Sequence, residues 1–207
     1  GIRDIGVTGV QTCALPILVA AGNTAFRATD GILLDAGGTV LVQAPAGRTS
    51  IVVPAGVVEL ATYSFMGCEK LASLTIPEGV ARIGYQTFNV CTSLTSLVLP
   101  ATYEGGLSAD SYQGCSSLVS IGVSPANPWY TSVAGSLYNK AVTELYAVPT
   151  GLTTLVVPSG VTAIGYAAAS GVRLATIALP ASLRRIDARA FARSEEHTSE
   201  LQSRQYL

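Results

Sequence analysis

One spacing constrains this chain more than any other feature. From Pro77 to Pro100 the sequence reads PEGVARIGYQTFNVCTSLTSLVLP, with apolar residues in fixed slots: Val80, Ile83, Phe88, Cys91, then Leu94, Leu97 and Leu99 before the closing proline. The segment before it fills the same slots with Pro54, Val57, Leu60, Phe65, Cys68, Leu71, Leu74, Ile76 and Pro77. Self-similarity at a fixed period of roughly 20–50 residues marks a solenoid or array of like units. A unit this small cannot bury its own apolar face, so it must rest on its neighbours. Stability then comes mainly from contacts between units.

The units, or coils, close at Pro54, Pro77, Pro100, Ser124 (where the proline is missing), Pro158 and Pro180. Their Leu-x-x-Leu-x-Leu slots read Leu71/Leu74/Ile76, Leu94/Leu97/Leu99, Leu118/Ile121/Val123, Leu152/Leu155/Val157 and Leu174/Ile177/Leu179. Alternation over the last three positions predicts a short strand with one face inward. The proline ends it, because it has no N–H to continue a ladder. Val80–Ile83 and Val161–Ile164 predict a second short strand, after which Gly84 and Gly165 are expected to turn the chain. The Tyr-x-x-Phe-x-x-Cys segment reads as one helical turn, too short to stand alone. Coil 100–124 is the irregular one: it has Tyr103 in the Val slot, Gly105-Gly106 and one inserted residue, and a bulged loop is expected there.

A β-hairpin interrupts the coils twice. Ile32–Leu34 and Val40–Val42 flank Asp35-Ala-Gly-Gly38, a hairpin signal within 31–45. The stretch 135–149 has the same length between Gly and Pro, and the offset of 104 residues persists from Pro45/Pro149 through Gly56-Val57/Gly160-Val161. The chain is therefore a super-repeat of one hairpin followed by coils of about 23 residues.

The two ends carry none of this pattern. Back-translated, Val7–Ile17 and Arg193–Ser203 are reverse complements over nearly their whole length, and both resemble an indexed short-read sequencing adapter. Residues 1–17 and 193–207 are therefore expected to be translated adapter, and 18–192 to be the solenoid. On that expectation Cys13 and His197, the sole histidine, are foreign to the fold.

Charge argues against several functions. Only 12% of the 207 residues are charged and the net charge is −1, so no electrostatic case for nucleic acid or an anionic membrane exists. No run approaches the roughly 18 apolar residues of a membrane helix. Cys68, Cys91 and Cys115 lie one coil apart and are expected to stack as buried thiols, small hydrophobes in a ladder. The paired spacing of a zinc site is missing, and an odd count does not make a disulfide framework. Without histidine in 18–192, the usual nucleophilic triads and most metal sites have no base or ligand. The carboxylates are scattered near turns, as expected of solvated faces, and nothing matches a phosphate-cradling loop.

These residues resemble the BspA-type leucine-rich repeats of bacterial surface proteins, also called the Treponema pallidum type. The likeness rests on the 22–24-residue period, on Ile-Gly-x-x-x-Phe-x-x-Cys-x-x-Leu, and on Asn127-Pro-x-Tyr130-x-Ser132 leading into Gly135-x-Leu-Tyr-Asn-Lys140. Arg48 in a Leu slot and Ala167-Ala168-Ala169 where an aromatic is usual depart from it and predict local repacking rather than a different fold. The resemblance implies a β-rich leucine-rich-repeat solenoid with short strands and short helical turns, interrupted by hairpins. It also implies a non-catalytic binding or adhesion region at the cell surface or outside the cell, with a host or cell-surface protein, such as a matrix protein, as partner and no cofactor. The alternative is a spacer that presents a neighbouring domain. Trp129, Tyr130 and Tyr146 are the candidate contact residues, since Trp and Tyr are enriched at binding hot spots. Against that, Tyr130 and Tyr138 are expected to pack the hairpin onto the solenoid, with Trp129 left exposed. The outer strand positions Thr75, Thr95, Ser96, Ser120, Thr154 and Thr176 form a polar face free to vary.

Overall fold

The computed structural model describes residues 15–105 and 107–194. Residues 1–14 and 195–207, which include Cys13, His197 and most of both flanks, lie outside the described residues. The chain opens with an antiparallel meander of β1 (Phe26–Thr29), β2 (Ile32–Asp35) and β3 (Val40–Gln43). Coils come next, with β4 (Ser50–Val52), β5 (Glu59–Leu60), β6 (Ser73–Thr75), β7 (Arg82–Ile83), β8 (Ser96–Leu99) and β9 (Ser120–Val123). A second meander, β10 (Tyr130–Val133), β11 (Ser136–Asn139) and β12 (Glu144–Ala147), repeats the first at the 104-residue offset. It leads into β13 (Thr154–Val156), β14 (Ala163–Ile164), β15 (Thr176–Ala178) and β16 (Arg185–Ile186).

The Leu-x-Leu strands pair in parallel as β4–β6, β8–β9 and β13–β15, and like slots face like: Ile51 pairs with Leu74, Leu97 with Ile121, Leu155 with Ile177. The alternation holds, since Leu97, Leu99 and Ile121 are buried while Val52, Val98 and Val156 are exposed. Thr75, Thr95, Ser96, Thr154 and Thr176 also lie exposed on that outer face, with Ser120 half-buried. The second column is β5–β7 and β14–β16. The last strand of each meander extends it in parallel, β3 onto β5 and β12 onto β14, giving two five-stranded sheets. So the hairpins are built into the solenoid wall.

The third side is a column of turns. In the Phe-x-x-Cys segments N–H groups reach back three residues (Cys68 to Phe65, 3.0 Å; Leu71 to Cys68, 3.0 Å) while others bond the next coil (Phe65 to Thr87 O, 2.9 Å; Val90 to Gln113 O, 2.8 Å). Among the described residues only Ala109–Tyr112 closes into a helix, a single 3₁₀ turn. Coil 100–124 carries that turn and, among its described residues, no strand in the second column. Glu104 and Gly105 N–H instead donate to Ala81 O at 3.1 and 3.3 Å, and the parallel sheet begun at β3 ends at β7. This is the form taken by the expected bulge.

The chain enters a turn directly after Gly84 and Gly165. Neither has a positive φ. A Cβ on Gly84 would lie 2.4 Å from Thr62 N, and one on Gly165 would lie 3.1 Å from Leu145 O. They allow the backbone of the preceding coil to approach. Arg48, in its Leu slot, turns its guanidinium to donate to Asp30 O, tying the first coil to the β1–β2 turn. Ala169 occupies the slot of Phe65, and Tyr138 stands where the first meander has Leu34. Both alanine and tyrosine belong to the second core cluster, as Phe65 and Leu34 do to the first.

Candidate contact surface

The β9–β10 connection is built around Asn127. Its side chain is buried, and its Nδ2 donates to Pro100 O (3.0 Å) and Tyr103 O (2.8 Å) of the coil below. Its Oδ1 accepts the N–H groups of Trp129 and Tyr130, both at 2.9 Å, as in an Asx turn. From the other side Lys140 Nζ donates to Asn127 O at 2.7 Å and Pro125 O at 3.1 Å, and Lys140 N–H donates to Trp129 O at 2.8 Å. The backbone of Trp129 is thus held at both its N–H and its C=O while its indole is 58% exposed. Asn23 makes the same two bonds to Ala25 and Phe26 at the first meander, so the turn forms with alanine in the tryptophan's place.

Tyr130 and Tyr146, both half-buried, stack with ring centroids 5.8 Å apart in a near-perpendicular arrangement, and Tyr130 lies 5.8 Å from the buried Tyr103. Burial pushes the Tyr130 phenol up. For Tyr146 burial comes first, then the Glu144 carboxylate, which accepts its hydroxyl at 3.3 Å. Tyr138 is 1% exposed, and burial pushes its phenol up to about 12. In the region of the β9–β10 connection Tyr130 packs against Tyr146 and the buried Tyr103, the Trp129 indole stays in solvent, and Tyr138 lies in the core. Asn127 and Lys140 shape that region, and the sequence reading does not place them in the site. The available signal is an Asn two residues ahead of an aromatic pair at a hairpin entrance.

The cysteines form the expected ladder. Cys68, Cys91 and Cys115 are free and fully buried; Cys91 Sγ donates to Phe65 O at 3.1 Å and Cys115 Sγ to Phe88 O at 2.9 Å. Hydrogen bonding with Cys115 and Cys68, reinforced by burial, pushes the Cys91 thiol up, away from the reactive thiolate. Two carboxylates serve cross-coil ion pairs on the second column, Glu59 with Arg82 (2.9 Å) and Glu144 with Arg185 (2.8 Å). Among the described residues no three His, Cys, Asp or Glu side chains gather as metal ligands, and no helix is long and apolar enough to cross a membrane.

Stacked coils with parallel ladders of Leu, Phe and Cys define a leucine-rich-repeat solenoid. The family model of the BspA type leucine rich repeat region matches residues 46–146 and 143–205 in six copies, and the chain belongs to that family. It resembles three solved structures. A leucine-rich repeat protein from Eubacterium ventriosum has 21% identity and a TM-score of 0.54 over 72% of this chain and 46% of its own. The pneumococcal vaccine antigen PcpA has 24% identity and a TM-score of 0.52 over 65% and 40%. A leucine rich cell surface protein from Faecalibacterium prausnitzii has 26% identity and a TM-score of 0.55 over 69% and 38%. This chain spans less than half the length of each. No curated protein matches its sequence.

Proposed function

We propose that this chain is a non-catalytic, protein-binding and adhesive repeat region of a bacterial cell-surface or secreted protein, and that Trp129 anchors the contact. Its partner is a host or cell-surface protein of the matrix type. One observation carries the assignment of Trp129. The fold needs no aromatic there, since Ala25 occupies the equivalent turn, yet the second copy holds an indole in solvent on a fixed backbone. A rigid, exposed aromatic loses little freedom on binding, and Trp leads the residues found at hot spots. Tyr130 and Tyr146, a half-buried pair in ring contact, are the further candidate contact residues. Surface location accords with a relative described as a cell surface protein and another described as a vaccine antigen.

The test is binding of the full chain to immobilised fibronectin, laminin and collagen, comparing wild type with Trp129→Ala. A loss of about 2 kcal/mol or more in the variant is expected for a hot spot. Binding that is absent from all three, or that Trp129→Ala leaves unchanged, would replace adhesion with the spacer reading, in which the solenoid presents a neighbouring domain.

A further inference from the structure

The two meanders alter the turn column as well as the sheets. The coils send a turn down that side, Phe65–Cys68, Phe88–Cys91, Tyr112–Cys115 and Ala169–Val172, whereas the second meander crosses it with only Ala147-Val148-Pro149. Val148 sits between the flanking coils, accepting from Tyr112 Oη at 3.0 Å and donating its N–H to Ala168 O at 2.8 Å. Outside that crossing the column is short by one turn. A cleft of about 370 Å³ opens there, with residues 85–86 and 110–113 of two successive coils on one side and residues 167–170 and 189–193 of two later coils on the other.

The cleft walls are polar. Tyr85, 53% exposed, lies next to Gln86, Asp110 and Gln113; Ser170 and Arg189 face them. Among the described residues the side chains of Gln86, Asp110, Gln113 and Ser170 have no hydrogen-bond partner, and Arg189 reaches only Tyr166 Oη at 3.4 Å. Ser170 is only 8% exposed, and that remnant opens into the cleft. Arg193 closes one end.

We infer that this cleft is a binding site for a short saccharide. The Asp110 carboxylate only accepts, the Arg189 guanidinium only donates, and the two amides and the hydroxyl do both, which suits the adjacent donor-acceptor hydroxyls of a sugar. The Tyr85 ring supplies the flat apolar surface against which a sugar's C–H face rests. The volume lies at the small end of the roughly 300–1,000 Å³ of ligand sites. A peptide fits less well. Backbone groups along these walls are already bonded between coils (Val90 N–H to Gln113 O, 2.8 Å; Ala169 N–H to Ala190 O, 2.7 Å), so no strand edge is offered for an added strand. The site lies apart from Trp129 and does not rest on the adhesion reading.

Saturation-transfer NMR and calorimetric titration with maltotriose and triacetylchitotriose, at several millimolar, test the inference on the full chain. Transfer to the ring protons of at least one sugar is expected. Tyr85→Ala and Gln113→Ala should each weaken it about tenfold, equal to roughly 1.4 kcal/mol, while Trp129→Ala leaves it unchanged. Both cleft residues reach solvent, and thermal unfolding within a few degrees of wild type checks that the variants fold. Absence of transfer from both sugars overturns the assignment. So does transfer that survives both substitutions, or loss on Trp129→Ala, which would place the sugar on the aromatic surface instead.

Discussion

Tyr103 and Tyr112 are both fully buried, and only one has a partner for its hydroxyl. Tyr112 Oη donates to Val148 O at 3.0 Å, whereas Tyr103 Oη finds no partner among the described residues. An unpaired buried hydroxyl costs about 1–3 kcal/mol, while a made bond contributes about 1 net. Tyr103→Phe should therefore raise the stability in urea by about 1 kcal/mol, and Tyr112→Phe should lower it by about as much. Unfolding midpoints that move in the same direction would refute this. The phenols also set an alkaline limit. Tyr138 rises from 10.0 to about 12 through burial, and Tyr103, Tyr112, Tyr130 and Tyr146 move the same way. Above pH 10 the unfolded chain sheds phenol protons that the folded chain keeps, so its lower proton count makes stability fall as pH rises. The loss due to Tyr138 should run between pH 10 and about 12 and be smaller in Tyr138→Phe, as followed by urea unfolding across that range.

Among the elements, the second-column strands depend on backbones in near contact. Gly84 N–H donates to Leu60 O at 2.8 Å, and any Cβ there would strike Thr62 N. Gly84→Ala should cost about 1–3 kcal/mol from overpacking, read by thermal unfolding; an unchanged Tm would mean that β5 and β7 can separate without loss. The meanders turn at Asp30-Gly31 and Ala134-Gly135, all four with positive φ, which is the two-residue turn that matches strand twist. Asp-Gly at 30–31 was a legible hairpin signal, and reading it would have added β1 to the expected hairpin. Ala134 hides the second copy, because alanine carries no preference for that backbone. The Phe-x-x-Cys segments read as helical turns, but bonds to the adjacent coil compete for their N–H groups, so most stop at successive turns.

Over the whole molecule, stability is carried from coil to coil. Leu97 pairs with Ile121 in the β8–β9 ladder and is fully buried, so Leu97→Ala should cost about 2–5 kcal/mol. In a stack held by neighbour contacts, that loss should loosen the flanking coils as well. Hydrogen exchange should then show faster amides at 73–76 and 120–123 along with 96–99, while 154–157 stays protected. Exchange confined to 96–99 would argue that coils unfold singly.

The periodic slots already specified the coil, its inward Leu, Phe and Cys, and the recurrence of the hairpin, because each comes from residues close together in the chain. Tertiary structure alone decided the rest. Asn127 reaches back to Pro100 and Tyr103, Arg48 turns to Asp30, and Gln113 comes to face Ser170 across the crossing at Val148. These partners lie 18 to 57 residues apart. Their meeting depends on how many coils separate them and on which coil omits a turn. A local pattern sets the shape of each unit, but the gaps and exposed surfaces arise where unlike units stack.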